Sequence, residues 1–366
     1  MATNLIPAVD PAALPGPPWL FHLLWVVTFF VHLVFVNAVL GGALLAAIAG
    51  TARPTARATA QLLVEVNSWT ISFAITFGVA PLLFIQVLFG RFFYTATILV
   101  AWFWLGMLGL LTLGYYLNYV AKFRLRSGKR AGAVLRLEAL CFLPISMVLV
   151  AVNLLHLQPG RWEIVAGRAL AAFADPTFLP RWLHFVLAAV AMAGALVAWV
   201  AVRRAARGDE SEEPHRMARF GLRAALIATV LQLIDGFWLL FALPEQVLGA
   251  VMRGGAATLG PLGLGILAGV LLLLVLAGIG DPIAQGTRVR RVAELLIGAM
   301  VFMVIFRHQL RELYLASARA DERVVVHDQW GIITVFLVAF VVGVGLTIFA
   351  MVRAAKDRAE PGERAA

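Results

Sequence analysis

The chain has 366 residues, 62% of them hydrophobic and only 14% charged, with 30 Lys and Arg against 20 Asp and Glu. Soluble domains are roughly half apolar and about a quarter charged, so this composition excludes both a soluble globule and a disordered chain. In a membrane protein the net charge of +10 reads first as orientation rather than nucleic-acid binding, and the single cysteine, Cys141, excludes a disulfide framework, a thiolate zinc site and a Cys-x-x-Cys-His haem attachment.

Met1 to Pro18 carries no Lys or Arg, so the basic start of a cleaved signal peptide is missing. Apolar runs of about 20 residues, enough to cross a ~30 Å hydrocarbon core as helix, then follow in order. They fall at roughly 18–50, 66–90, 94–121, 137–157, 182–202, 224–243, 262–279, 292–307 and 330–352. The eighth is short and can run on through Arg307 to Leu315. No segment alternates with period two, which argues against strands. The connections are short, so the expectation is one all-α integral membrane domain over 1–366. It would have about nine transmembrane helices, an outer N-terminal segment 1–17 and a cytoplasmic tail 353–366.

Basic residues orient the chain. With the N-terminus outside, the inner segments hold 21 Lys and Arg and the outer segments 9. Positive charge collects on the cytoplasmic side, so the expectation is N-terminus out and C-terminus in, in a bacterial-type inner membrane.

Four histidines then gather on the outer side, from four different spans: His22 near the start of the first, His156 ending the fourth, His184 opening the fifth and His308 ending the eighth. His32 lies deeper, roughly 15 Å below His22 along an ideal helix. Ionisable residues inside a membrane are costly and mark functional sites by default, and neutral imidazole is a common axial ligand of b-type haem. A lone interfacial histidine is more often a hydrogen-bonded boundary residue, which suits the helix-end positions of His156 and His327. His32, inside an apolar run beside Phe30 and Phe35, needs a partner. Asp235, in the middle of the sixth span, and Glu294, at the start of the eighth, are candidates for a proton relay or for plain charge pairing.

Several of these segments resemble subunit I of the cytochrome bd oxygen reductase superfamily, over roughly residues 20–205. The stretch His32-Leu-Val-Phe-Val-Asn37-Ala-Val-Leu40-Gly41 is similar to the family segment whose His holds the high-spin b haem. Asn153-Leu-Leu-His156-Leu-Gln158-Pro159 is similar to the family's Asn-Gly-Trp-Met-Gln-x-Pro. Asp175-Pro176 to Arg181-Trp-Leu-His184-Phe resembles the segment whose His binds the low-spin b haem. The resemblance implies a nine-helix subunit with its N-terminus outside and haem roles for His32 and His184, with two haems b expected and a third haem and a quinone left open.

The chain also departs from the family. The family's Phe-Arg-x-Met in its seventh helix supplies the second ligand of the low-spin haem, whereas Leu262 to Gly278 has no Met, His or Arg. On this reading a substitute comes from elsewhere: Phe306-Arg307-His308 offers both a ligand and a cation for a propionate, and His22 is the next choice. The quinol loop is shortened to Pro244–Pro261, and Thr95 to Val120 contains no acid. These departures argue against oxygen reduction at a haem d.

Three readings follow. The first is an electron-transfer subunit passing electrons between the quinone pool and a partner at the outer face, either a membrane subunit or a c-type cytochrome. The second is a reductase of oxygen or nitric oxide with a high-spin haem at His32. The third is a cofactor-free membrane scaffold or transporter. Lipid is the common partner of all three, and none involves nucleic acid.

Overall fold

The computed structural model describes residues 6–8, 13–50, 54–320, 322 and 324–357. Most of the predicted tail 353–366, much of the segment 1–17, and Arg53 and Arg323 of the charge count therefore lie outside the described residues. The described chain is helical: α1 (Pro18–Ala49), α2 (Pro54–Leu99), α3 (Ala101–Arg126), α4 (Gly132–Leu157), α5 (Trp162–Gly167), α6 (Phe178–Ala205), α7 (Glu212–Phe241), α8 (Glu245–Arg253), α9 (Gly255–Ala277), α10 (Gly286–Leu315) and α11 (Trp330–Asp357). The apolar runs of the sequence fall on the long helices, with the third run divided between α2 and α3. Seven are long and apolar enough to cross a membrane by length and composition: α1, α2, α4, α6, α7, α9 and Trp330–Thr347 of α11. In hydrocarbon every backbone N–H and C=O must be satisfied inside its own segment, and a helix does that.

Helix ends follow local chemistry. Gly128 takes a positive φ of 74° just past α3, and the Lys129 N–H donates back to the Arg124 carbonyl at 2.8 Å, closing the helix with a left-handed cap. Ser211 caps α7 by accepting from the Glu213 N–H, and Glu212 and Glu213 place negative charge at the positive end of the helix dipole. The boundary between the second and third helices differs from expectation. The chain stays helical to Leu99, with a break at Phe89 (φ −140°, ψ 25°) inside α2, so residues 94–99 belong to α2.

Two compact units are present. The second comprises Val9–His22 and Glu322–Ala366. In it, Leu14 pairs with the Val325–His327 stretch through N–H···O bonds of 2.8 and 2.9 Å, leading into α11. Val335, Val338 and Val341 of α11 are exposed.

The first unit, Met1–Ala8 and Leu23–Asp321, is a bundle of α1 to α10. Its tightest seam joins α6 and α7. Gly194 and Gly221 face each other there, and a Cβ on either would strike the other's carbonyl oxygen. Small residues permit such close approach in membranes, where packing rather than a hydrophobic drive holds helices together. Forcing bulk into a packed seam costs about 1–3 kcal/mol or more. Because backbone is struck on both sides, Gly194→Val is expected at the upper end of that range. Thermal unfolding in detergent checks this, and an unchanged midpoint would contradict the seam. Elsewhere large apolar side chains point outward, Trp102 of α3 at 86% exposure and Leu274 of α9 at 64%, as expected where lipid is the solvent.

Candidate functional site

The first unit encloses a largely apolar cavity of about 550 Å³, walled by α1, α2, α3, α4, α6, α7, α9 and α10. That volume lies within the ~300–1,000 Å³ common for cofactor sites. Three of the histidines singled out above line it: His32, His156 and His184.

His32 stands on α1, and its Nδ1 lies 2.9 Å from the Ala74 carbonyl of α2. A carbonyl only accepts, so Nδ1 carries the proton and Nε2 keeps its lone pair. Gly78, one turn on in α2, makes room for the ring, since a Cβ there would come within 2.9 Å of His32 Cε1. His184 on α6 follows the same logic. Its Nδ1 meets Asp235 Oδ2 of α7 at 3.2 Å, and Gln232 Nε2 donates to the His184 carbonyl at 3.4 Å. Asp235 is 6% exposed and does not itself line the cavity. The geometry thus gives it a definite contact, holding His184 in one tautomer. A ring whose Nδ1–H is tied to a carbonyl or carboxylate, with Nε2 open to a cavity, is the usual preparation of a metal-ligating histidine.

His156 departs from the boundary reading. It is 1% exposed at the end of α4, its Nε2 lacks a hydrogen-bond partner, and its ring lies 5.9 Å from Phe89. Beside it two arginines of α10 close the cavity. Arg307 donates through Nη2 to Asn153 Oδ1 of α4 at 2.8 Å and stacks on Phe29 at 4.4 Å, while its Nη1 is buried without a partner. Arg311 is 2% exposed, lies between Trp25 (4.0 Å) and Phe89 (5.1 Å), and leaves Nε and Nη1 unpartnered. Among the described residues neither guanidinium makes an ion pair. Buried donors of this kind are costly unless an acceptor meets them.

The remaining sequence candidates lie elsewhere. The His308 ring packs on Trp25 at 5.1 Å, and the residue does not line the cavity. His22 is half-buried in the first turns of α1 and belongs to the second unit. Glu294 is 58% exposed and pairs with Arg290, one turn away, at 3.0 Å. The residue that sequence reasoning missed is Arg311, whose place in a charged stretch hid its burial.

The 158–177 connection braces this end of the cavity. Trp162 Nε1 donates to the Leu155 carbonyl at 2.8 Å, satisfying a carbonyl in the last turn of α4 just before His156. Arg161 pairs with Asp175 at 2.6 Å. Burial opposes ionisation of Asp175. The Thr177 hydroxyl and N–H and the Arg161 guanidinium outweigh it, and the carboxyl sits below its ordinary range.

The described residues thus form a helical membrane bundle with anchored imidazoles and buried cations around one cavity. No protein-family model and no curated protein matches the chain. Among solved structures, the bd oxidase from Geobacillus thermodenitrificans is similar, with a TM-score of 0.74 at 13% identity, covering 94% of this chain and 98% of that one. The likeness read from residues 20–205 thus extends, as fold, over nearly the whole chain.

Proposed function

We propose that this chain is a b-haem electron-transfer subunit of a bacterial respiratory membrane, oriented with its N-terminus outside and its cavity in the outer half of the bilayer. The reading rests on one observation above all: His32 and His184 line the same cavity, each with Nδ1 anchored on a neighbouring helix. The fold it shares with a bd oxidase supports it.

Two haems b are expected, and they would supply one-electron redox chemistry. His32 and His184 would hold the irons. Asp235 would keep the His184 ring oriented and raise its basicity. Arg307 and Arg311 would meet propionates, and the apolar wall would exclude water. Electrons would pass between the quinone pool and a partner at the outer face, a membrane subunit or a c-type cytochrome.

The test is a pyridine haemochrome count on protein purified from a haem-replete host. Two haems b per chain are expected. Protein without a Soret band would overturn the reading in favour of a scaffold. A high-spin signal at the His32 haem that shifts with carbon monoxide would redirect it to gas reduction.

A further inference from the structure

Independently of the haem reading, we propose that Glu138 of α4 is a proton-binding site, its carboxyl holding a proton that it donates to Asn118 Oδ1 of α3 and exchanging it with the inner aqueous phase by way of Lys122. None of these three residues lines the cavity described above.

Packing brings the residues to one layer. The helices α3 and α4 run antiparallel, joined by the short turn 127–131. A Cβ on Gly114 of α3 would lie 3.0 Å from the Phe142 ring and 3.4 Å from Cys141 Cβ of α4, so these positions are level. Asn118 is one turn on from Gly114, and Glu138 is nearly one turn back from Cys141. Both steps stay on the faces that meet and move toward the same end of the bundle, which leaves Asn118 and Glu138 level to within about 1.5 Å. On the α2 side, Asn118 Nδ2 donates to the Val64 carbonyl at 3.2 Å and to Ser68 Oγ at 3.1 Å, and Asn67 flanks the Glu138 carboxyl.

This layer holds more acceptors than donors. Glu138 and Asn118 are fully buried, and Glu138 Oε1 and Oε2 and Asn118 Oδ1 meet no donor. The neighbouring donors are directed elsewhere: Asn67 Nδ2 at the Val39 carbonyl (3.1 Å) and the Ser68 hydroxyl at the Val64 carbonyl (2.9 Å). An ionised carboxylate left without a partner in such surroundings neutralises itself instead. One proton also settles the count, since a carboxylic acid has a single O–H to donate and Asn118 Oδ1 is the open acceptor at its level.

Lys122 supplies the exchange. It stands one turn inward of Asn118, half-buried, and its Nζ reaches back to donate to Ser68 Oγ at 3.1 Å, the hydroxyl that Asn118 also meets. When the O–H bond of Glu138 breaks, the proton goes to water of the inner phase, the electron pair stays on the carboxylate, and the Lys122 ammonium turns from Ser68 to balance it. Reprotonation reverses the steps. The other titratable groups around this layer are Cys141 on α4, Tyr119 beneath Lys122, and Tyr115, whose hydroxyl lies 2.6 Å from Ser72 Oγ. Glu65 of α2 is paired with Arg126 at 3.3 Å. The helix α1 brings no titratable residue inward of His32, and α6 none between His184 and Arg203.

Infrared spectroscopy of the purified full-length chain in lipid nanodiscs at neutral pH tests this. Wild type is expected to show a protonated-carboxyl C=O band that shifts in D2O and is lost in Glu138→Gln. Asn118→Leu is expected to keep the band and move it to the higher frequency of an acid without an acceptor. Lys122→Met is expected to slow its deuterium exchange several-fold. The last two variants keep the test open if Glu138→Gln does not accumulate. A wild-type spectrum without the band, a band that survives in Glu138→Gln or stays unmoved in Asn118→Leu, or exchange at the wild-type rate in Lys122→Met would overturn the proposal. A band that vanishes when sodium replaces potassium at constant pH would overturn it in favour of a metal cation.

Discussion

His184→Ala is expected to remove one of two haems from the purified protein, and His32→Ala the other, each read as a halved haemochrome yield. The graded variants carry more information. Asp235 touches His184 but does not line the cavity, so Asp235→Asn should weaken haem retention without abolishing it. Loss of such an outer partner typically costs 10–100-fold in metal affinity, about 1.4–2.7 kcal/mol. The haem at His32 should be untouched by that change. Its own anchor is a backbone carbonyl, so the matching probe is Gly78→Ala, which presses a methyl against the His32 ring. Haem transfer to an apoprotein acceptor measures each retention separately. If Asp235→Asn altered only the pH profile of turnover and left haem retention unchanged, Asp235 would be acting in proton transfer rather than as an anchor.

The bundle was legible because its determinant is one-dimensional. A run of apolar residues long enough to cross a bilayer can satisfy its backbone in lipid as a helix, and the runs became helical, though 94–121 is divided between α2 and α3. Two ligand candidates were legible for a related reason. His32 interrupts an apolar stretch, and an imidazole there needs a partner. The anchors were not legible, because they depend on which helices touch. Nothing in the sequence pairs His184 with Asp235, 51 residues away, or His32 with the Ala74 carbonyl. His156 was misjudged for the same reason. A helix-end position suggests an interface, but the 158–177 connection folds over it and buries it to 1% exposure. Arg311 lay hidden among the charges of Arg307 to Arg319, where only tertiary packing separates a solvated cation from a buried one.

Arg311 yields the second large effect, and its sign should depend on the ligand. A buried guanidinium with unpartnered N–H groups is costly: breaking a buried charge pair by removing its partner typically costs 3–5 kcal/mol. Stacking on Trp25 and Phe89 offsets part of that, at about 0.5–2 kcal/mol per aromatic face. In the haem-free protein Arg311→Met, which keeps the bulk and drops the charge, is expected to stabilise the fold by about 1–4 kcal/mol. In the haem-loaded protein the same change removes charge-assisted hydrogen bonds to a propionate, each worth about 1.5–3 kcal/mol. Haem affinity should then fall roughly 10- to 100-fold. Thermal unfolding of the two forms, with haem dissociation measured alongside, separates the contributions. Opposite shifts in the two forms identify the arginine as a cation kept for an anionic ligand. A loss of stability of equal size in both would mean that Arg311 serves the packing of α10 against α1 and α2, and that no anion completes this end of the cavity.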